Sequence, residues 1–383
     1  MRIAHIITRL IVGGAQENTI DTVLGLKARH GVNATLISGP TSGPEGSLEP
    51  LFTRSGESVL RCPHLVREVH PWHDTLALWH LIGLLRRIQP EIVHTHSGKA
   101  GFIGRLAARM ARTRIIVHGI HGPSFGGFQG PLANSAFVAA ERFAGKFTHH
   151  FASVAHAMTS QYLAAGIGQP QQFTRILSGF DIAPFVHAGN NPPNRERLGF
   201  SCDEVVIGMV SRLFSLKGHD DLFDIAPDLL AHNPKLRFLL VGDGAWRSRL
   251  EARAAAPKLK GRFVFTGLVP PTEVPALIGS MDILVHLSRR EGLPRALSQA
   301  SAAAKPTVAF DCDGAREVCL DNETGLLVPA GDTSVLTQRL LELAADVSLR
   351  TRLGRSGQKL VIAEFDVNRM VDQTWELYNR LAT

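Results

Sequence analysis

Cysteine is scarce in this chain: Cys62, Cys202, Cys312 and Cys319 are the only four among 383 residues. None stands in a C-x-x-C pair, so the commonest zinc and redox signatures are excluded; reduced structural thiols and a cytoplasmic setting are the expectation. Long apolar runs are missing too. No stretch of 18 or more apolar residues exists, so no membrane-spanning helix is expected. The opening segment, Met1 to Val12, resembles a secretion signal in hydropathy, but His5 and Arg9 interrupt it and Gly13-Gly14 follows. A first buried strand accounts for it better. Also absent after that strand is G-x-G-x-x-G, the fingerprint of dinucleotide-dependent dehydrogenases. The chain has no repeat of solenoid period and no low-complexity tract.

Negative charge is scarce in one half only. Residues 1–185 carry 17 Lys/Arg against 10 Asp/Glu, which accounts for the whole net charge of +7. Between 101 and 150, Arg105, Arg109, Arg112, Arg114, Arg142 and Lys146 face only Glu141. A basic half-molecule points to an anionic partner: phosphate, lipid headgroups or nucleic acid. The cations from Arg105 to Arg114 are not interleaved with aromatics and no nucleic-acid motif is present, so no nucleic acid is expected. On a helix, Arg105, Arg109 and Arg112 share one face. That face is either simply solvated or docks an anionic membrane surface or an acceptor diphosphate.

At 44% hydrophobic and 20% charged, 383 residues suggest two ordinary soluble domains. Strands are expected at Arg2–Ile7, Ala34–Ser38, Ile92–His96, Arg114–His118, His150–Ser153 and Arg175–Leu177, with helical patterns at Gln16–Ala28, Thr75–Ile88 and Lys99–Ala111. The polar, Pro-rich segment His187 to Arg195 marks a linker or the loop after it. Alternation then restarts with strands at Val205–Val210, Arg237–Val241, Phe263–Thr266, Ile283–Leu287, Thr307–Phe310 and Leu326–Pro329, and ends in an amphipathic helix, Val367–Leu381. Such alternation argues for an α/β fold with two parallel sheets, each covered on both faces. The expected domains are residues 1–185 and residues 186–364, followed by a closing helix at about 365–383.

Candidate site residues cluster at strand ends. Gly13-Gly14 between the first strand and helix is either a tight turn or a close backbone approach to an anion. Arg212 and Lys217, followed by Gly218, form either a solvated basic loop or a diphosphate site. Gly242 lies in the strand-to-helix turn Leu240-Val-Gly-Asp243-Gly244. Glu291 follows a strand and precedes Gly292, Leu293, Pro294 and Gln299; it either complements a helix dipole or binds a ligand. In the first half, His94, His96 and Lys99 end one strand, and His118 and His121 end another. Four imidazoles in two segments invite a metal reading, but no Cys or carboxylate nearby completes a ligand set, and no metal or other cofactor is expected. Asp311-Cys-Asp313 has the D-x-D spacing of a metal site but is expected to serve loop and helix capping.

Taken together, these segments resemble the retaining glycosyltransferases of family 4, which have the GT-B architecture. The resemblance covers nearly the whole chain and rests on Gly13-Gly14, H-T-H-S-x-K-A-G from His94, His121-Gly122, Arg212 with Lys217, and the E-x7-E signature from Glu291. It implies two Rossmann-like domains facing across a cleft, with the closing helix crossing back to the first. The implied reaction is metal-independent retaining transfer of a hexosyl or N-acetylhexosaminyl unit from a nucleotide-diphosphate sugar, with UDP the expected carrier, to a lipid-linked or surface-glycan acceptor. Arg212 and Lys217 would hold the diphosphate, Glu291 and the glycine loop the sugar, and His121 the reacting centre. His94, His96 and Lys99 would line the acceptor side. The second Glu of the signature, which grips the ribose in the family, is Gln299 here. Gln299 keeps hydrogen-bonding capacity without charge. That departure keeps two alternatives open: a donor-binding, catalytically reduced protein, or a nucleotide-sugar epimerase of the same fold.

Overall fold

The computed structural model describes residues 1–41, 46–190 and 195–383. The chain divides into two compact units, Met1–Phe180 with Val367–Thr383, and Asp181–Asp366. Part of the Pro-rich segment, 191–194, lies outside the described residues; 187–190 form the last turn of a helix, Ala183–Asn190.

The first unit contains β1 (Arg2–Ile7), β2 (Asn33–Ser38), β3 (Val59–Arg61), β4 (Ile92–His96), β5 (Ile115–Ile120), β6 (His150–Ser153) and β7 (Phe173–Arg175). All pair in parallel, in the order β3-β2-β1-β4-β5-β6-β7. The three-residue β3 is too short to leave a clear sequence signal and was not anticipated. The second unit contains β8 (Val205–Val210), β9 (Leu236–Val241), β10 (Phe263–Gly267), β11 (Ile283–His286), β12 (Thr307–Phe310) and β13 (Gly325–Val328), ordered β10-β9-β8-β11-β12-β13. Both sheets therefore reverse their strand order once, between β1 and β4 and between β8 and β11. Loops leaving two such neighbouring strands diverge to opposite faces, which opens a crevice at the carboxyl ends.

Strand alternation sorts the first unit's core into two layers. Ile3 and Ile7 pack with Ile92 against Ile20, Val23 and Leu26 of the helix Gly14–His30 and against Met370, Val371 and Leu377 of the closing helix Val367–Ala382. Ala4, Ile6 and Val93 pack on the other face against the helices Pro71–Ile88 and Gly98–Met110. The closing helix approaches closely at Gly25, where an added Cβ would stand 2.4 Å from a Val371 methyl.

The shared arginine face does not exist. Arg105 is fully buried: its guanidinium bonds Glu141 Oε2 at 2.6 Å, the Gly101 carbonyl at 2.8 Å and Thr148 Oγ1 at 3.4 Å. Arg112 lies beyond the helix end, at φ 59. A helix-face pattern cannot tell an inward arginine from an outward one when its carboxylate partner is 36 residues away. Removing one member of a buried pair strands the other charge, at a cost of about 3–5 kcal/mol. Glu141→Ala is expected to lower the stability of the first unit by that order in urea denaturation, while Arg105→Met with Glu141→Leu should recover most of the loss.

Candidate functional site

The carboxyl ends of β8 and β11 bring two loops of the second unit together. The Leu216 carbonyl, on a residue at φ 72, accepts the Arg289 N–H at 2.8 Å and Ser288 Oγ at 3.2 Å. Arg289 in turn grips Asp221 through two 2.7 Å bonds. Gly218, at φ 78, has the Leu287 carbonyl where a Cβ would stand, 2.1 Å away, so no other residue fits that crossing without displacement. These ties set Lys217 Nζ on Glu291 Oε1, both more than 80% buried. His286 Nε2 stands 3.3 Å from the same oxygen.

Burial by itself raises the Glu291 carboxyl pKa; the Lys217 ammonium and His286 outweigh it and hold the carboxyl well below the usual carboxylate range. Asp313, at φ 45, uses its carboxylate to accept the Glu291 backbone N–H at 2.8 Å. It therefore fixes the Glu291 loop, whereas Asp311 pairs with Arg316. Arg212 is exposed, 4.7 Å above the Phe214 ring. Gly242 passes so close to the Ser211 carbonyl that a Cβ would lie 2.2 Å from it. Gly292 and Pro294 are buried and Leu293 is half-buried ahead of the helix Arg295–Ala302, where Gln299 is half-buried on the second turn.

In the first unit, Gly13 caps the helix Gly14–His30, and Gly14 is exposed. His94 and His96 lie on one face of β4, buried, with His5 of β1 beside them. His5 Nδ1 and His96 Nε2 are 2.9 Å apart, and His96 Nδ1 lies 2.9 Å from His121 Nε2. Tyr378, from the closing helix, places its hydroxyl 2.5 Å from His94 Nδ1 and 3.4 Å from His5 Nε2. Burial lowers the pKa of His5 to about 3 and of His121 to about 4, and carries His94 and His96 well below the ordinary imidazole value, so all four are neutral near pH 7. Lys99 is turned away from this group, paired with Asp74 at 2.5 Å. His118 is packed under Gly101 and bonds Thr95.

Ligand nitrogens of His5, His94 and His96 lie within 4.8 Å of one another, a spacing that an imidazole-preferring ion could bridge. His5 and His96, however, spend their facing nitrogens on each other.

Residues 190–360 match the family model "Glycosyl transferases group 1", and residues 13–176 match "Glycosyl transferase 4-like domain". The chain is a two-domain glycosyltransferase, a 4-like domain followed by a group 1 domain. Among its curated relatives, the Escherichia coli UDP-Gal:alpha-D-GlcNAc-diphosphoundecaprenol alpha-1,3-galactosyltransferase is 26% identical over 82% of each chain. A GDP-mannose-dependent alpha-mannosyltransferase of Mycobacterium tuberculosis is 29% identical over 82% of this chain and 80% of that one. Among solved structures, Anabaena HepE in complex with UDP-glucose aligns over 99% of this chain and all of that one, at a TM-score of 0.83 and 21% identity. Sucrose-phosphate synthase of Thermosynechococcus elongatus aligns at 0.82 and 19%. These likenesses show the GT-B fold.

Four residues of this glycosyltransferase at the two sites escaped sequence reasoning: His286, Asp313, Tyr378 and His5. His5 did leave a signal, since it interrupts an otherwise apolar strand.

The ion pair makes a signed prediction. Glu291, with its folded pKa depressed, contributes stability that is complete above its unfolded value of 4.5 and lost as pH falls through the folded one. Lys217→Ala removes the main counter-charge and leaves burial to raise the carboxyl pKa. The variant should lose about 3 kcal/mol at neutral pH, the low end for a pair that keeps slight exposure. In a urea series its deficit should shrink as the pH is taken well below 4.5; a deficit independent of pH would show that the pair does not hold the carboxylate charged.

Proposed function

We propose that this glycosyltransferase moves a hexosyl or N-acetylhexosaminyl unit from a nucleotide-diphosphate sugar, with UDP as carrier, to a lipid-linked or surface-glycan acceptor, retaining the anomeric configuration and using no metal. The observation that carries the proposal is the Lys217–Glu291 pair at the strand-order reversal of the second unit. Lys217 and Arg212 supply fixed positive charge for a diphosphate that gains charge as the sugar leaves. Glu291, kept ionised, accepts hydrogen bonds from sugar hydroxyls. The bond between the anomeric carbon and the diphosphate oxygen breaks, the acceptor oxygen bonds that carbon on the same face, and its proton passes to a phosphate oxygen. His121 steadies the developing positive charge with a neutral ring. One relative is named for a UDP-sugar donor and a diphosphoundecaprenol acceptor and another for a GDP-mannose donor, which supports the donor class.

The acceptor class favours work at an anionic membrane surface, but not through Arg105. The helix Pro131–Gly145 turns Leu132, Phe137 and Phe143 to solvent at 89%, 37% and 51% exposure, where a surface helix normally carries polar groups. Arg109, Arg112, Arg114 and Lys146 line a neighbouring hollow of about 770 Å³ that has no carboxylate in its lining. Apolar side chains beside converging cations suit the headgroup boundary of a bilayer.

A mass-spectrometric screen of UDP-, GDP- and ADP-sugars, with and without EDTA, tests the reaction. Release of one nucleotide that resists EDTA, lost at least about a hundredfold in Glu291→Ala, is expected; no turnover of any donor with lipid-phosphate acceptors present would overturn the reading. Vesicle sedimentation tests the surface. Binding to anionic vesicles should fall with salt and drop severalfold in Phe143→Ser with Lys146→Ala, whereas equal binding to neutral vesicles would count against it.

A further inference from the structure

The buried imidazoles of the first unit form an ordered arrangement. From the closing helix inward, hydrogen-bond contacts run Tyr378 hydroxyl to His5 Nε2 (3.4 Å), His5 Nδ1 to His96 Nε2 (2.9 Å), and His96 Nδ1 to His121 Nε2 (2.9 Å). Tyr378 and His5 are fully buried and His96 is 1% exposed, so water does not interrupt the series. His94 branches from the tyrosine at 2.5 Å. His94 Nε2 finds no partner among the described residues and faces a cavity of about 20 Å³, room for one water.

A neutral imidazole has one N–H and one bare nitrogen. In a head-to-tail chain of them, each bond needs one donor and one acceptor, so the direction of any link fixes all the others. Two directions are self-consistent. The 2.5 Å contact selects between them, because hydroxyl donors make the shorter hydrogen bonds. The Tyr378 O–H donates to His94 Nδ1. Its oxygen then accepts from His5 Nε2–H, His5 Nδ1 accepts from His96 Nε2–H, and His96 Nδ1 accepts from His121 Nε2–H. His121 is left with a bare Nδ1.

We infer that Tyr378, His5 and His96 are positioning residues that lock His121 in its Nε2–H tautomer, so that it offers Nδ1 as a hydrogen-bond acceptor to the substrate. The inference rests on the proposed role of His121 in sugar transfer. Gly119 leaves the rings room to meet: an added Cβ there would stand 2.9 Å from His96 Nδ1, 3.0 Å from His94 Nε2 and 3.2 Å from His121 Nε2. The closing helix thereby reaches the reacting centre through hydrogen bonds rather than by its own contact.

The test separates the tautomer from the chemistry. In protein labelled with ¹⁵N-histidine, with His121 assigned by its loss in His121→Gln, the two ring nitrogens should report a single Nε2–H tautomer. In Tyr378→Phe and in His5→Phe the His121 signals should shift toward a tautomer mixture. For the transfer reaction, both variants should lower kcat about tenfold with little change in donor KM, the effect of about one well-placed hydrogen bond or slightly more. His5→Gln, which keeps a donor and an acceptor, should restore most of kcat. Thermal melting controls for folding. An Nδ1–H tautomer in the wild type, or a tautomer unmoved by both Phe variants, overturns the inference even if the protein transfers sugar. Absence of transfer by the wild type, with the tautomer locked as described, overturns only the proposed reaction.

Discussion

A carboxylate stays ionised inside a protein only beside a cation, and the second unit is arranged around meeting that condition at Glu291. Lys217 leaves the end of β8 and Glu291 follows β11, so they are 74 residues apart in sequence and neighbours only because the strand order reverses between those two strands. The meeting is then fixed from several directions. The Leu216 carbonyl binds both Arg289 and Ser288, Asp221 holds the Arg289 guanidinium, Gly218 lets the chain pass against Leu287, and Asp313 holds the Glu291 amide. Loosen the crossing and the buried charge is left without its partner, which is the costlier state. Loop shape and site electrostatics are one constraint there.

The first unit solves a similar problem in the opposite way. Its strand-order reversal is lined with imidazoles instead of an ion pair. Among the described residues no counter-charge accompanies them, and burial keeps them neutral. His5, His94 and His96 occupy positions that alternation assigns to an apolar layer, on the same strand faces as Ile3, Ile7 and Ile92. Polar rings can remain there because each finds another ring or the Tyr378 hydroxyl. The closing helix completes the layer: it carries Tyr378 in, and its close packing at Gly25 seats it.

What the sequence disclosed follows from which interactions are local. Alternation and periodicity located β1, β4, β6, β8 and β12 to the residue, because a strand buried on both faces writes its apolar run directly into the chain. Glu291, Lys217 and Arg212 were visible as charged residues at strand ends. Their pairing was not, since register and strand order are tertiary facts. Arg105 failed for the same reason: its i, i+4, i+7 spacing with Arg109 and Arg112 describes a helix face, whereas Glu141, which draws it inward, comes from a different helix. Asp313 was expected to serve loop and helix capping, and the loop its carboxylate serves lies 22 residues earlier, which the sequence did not show. Tyr378 left no signal, being one polar-tipped aromatic on an amphipathic helix.

The two units thus divide the electrostatics between permanent charge and neutral polarity, and this has a consequence for how the reaction responds to pH. Glu291 is held ionised far below neutrality. His5 and His121 become charged only near pH 3 and pH 4. None of these groups changes state between about pH 5 and pH 8, the range in which an unperturbed histidine would. Buried histidines normally suggest a proton shuttle, but a ring whose pKa lies near 4, as for His121, is a poor proton carrier at neutrality and a good hydrogen-bonding surface. In the transfer proposed above, the proton released by the acceptor therefore goes to a phosphate oxygen rather than to a histidine.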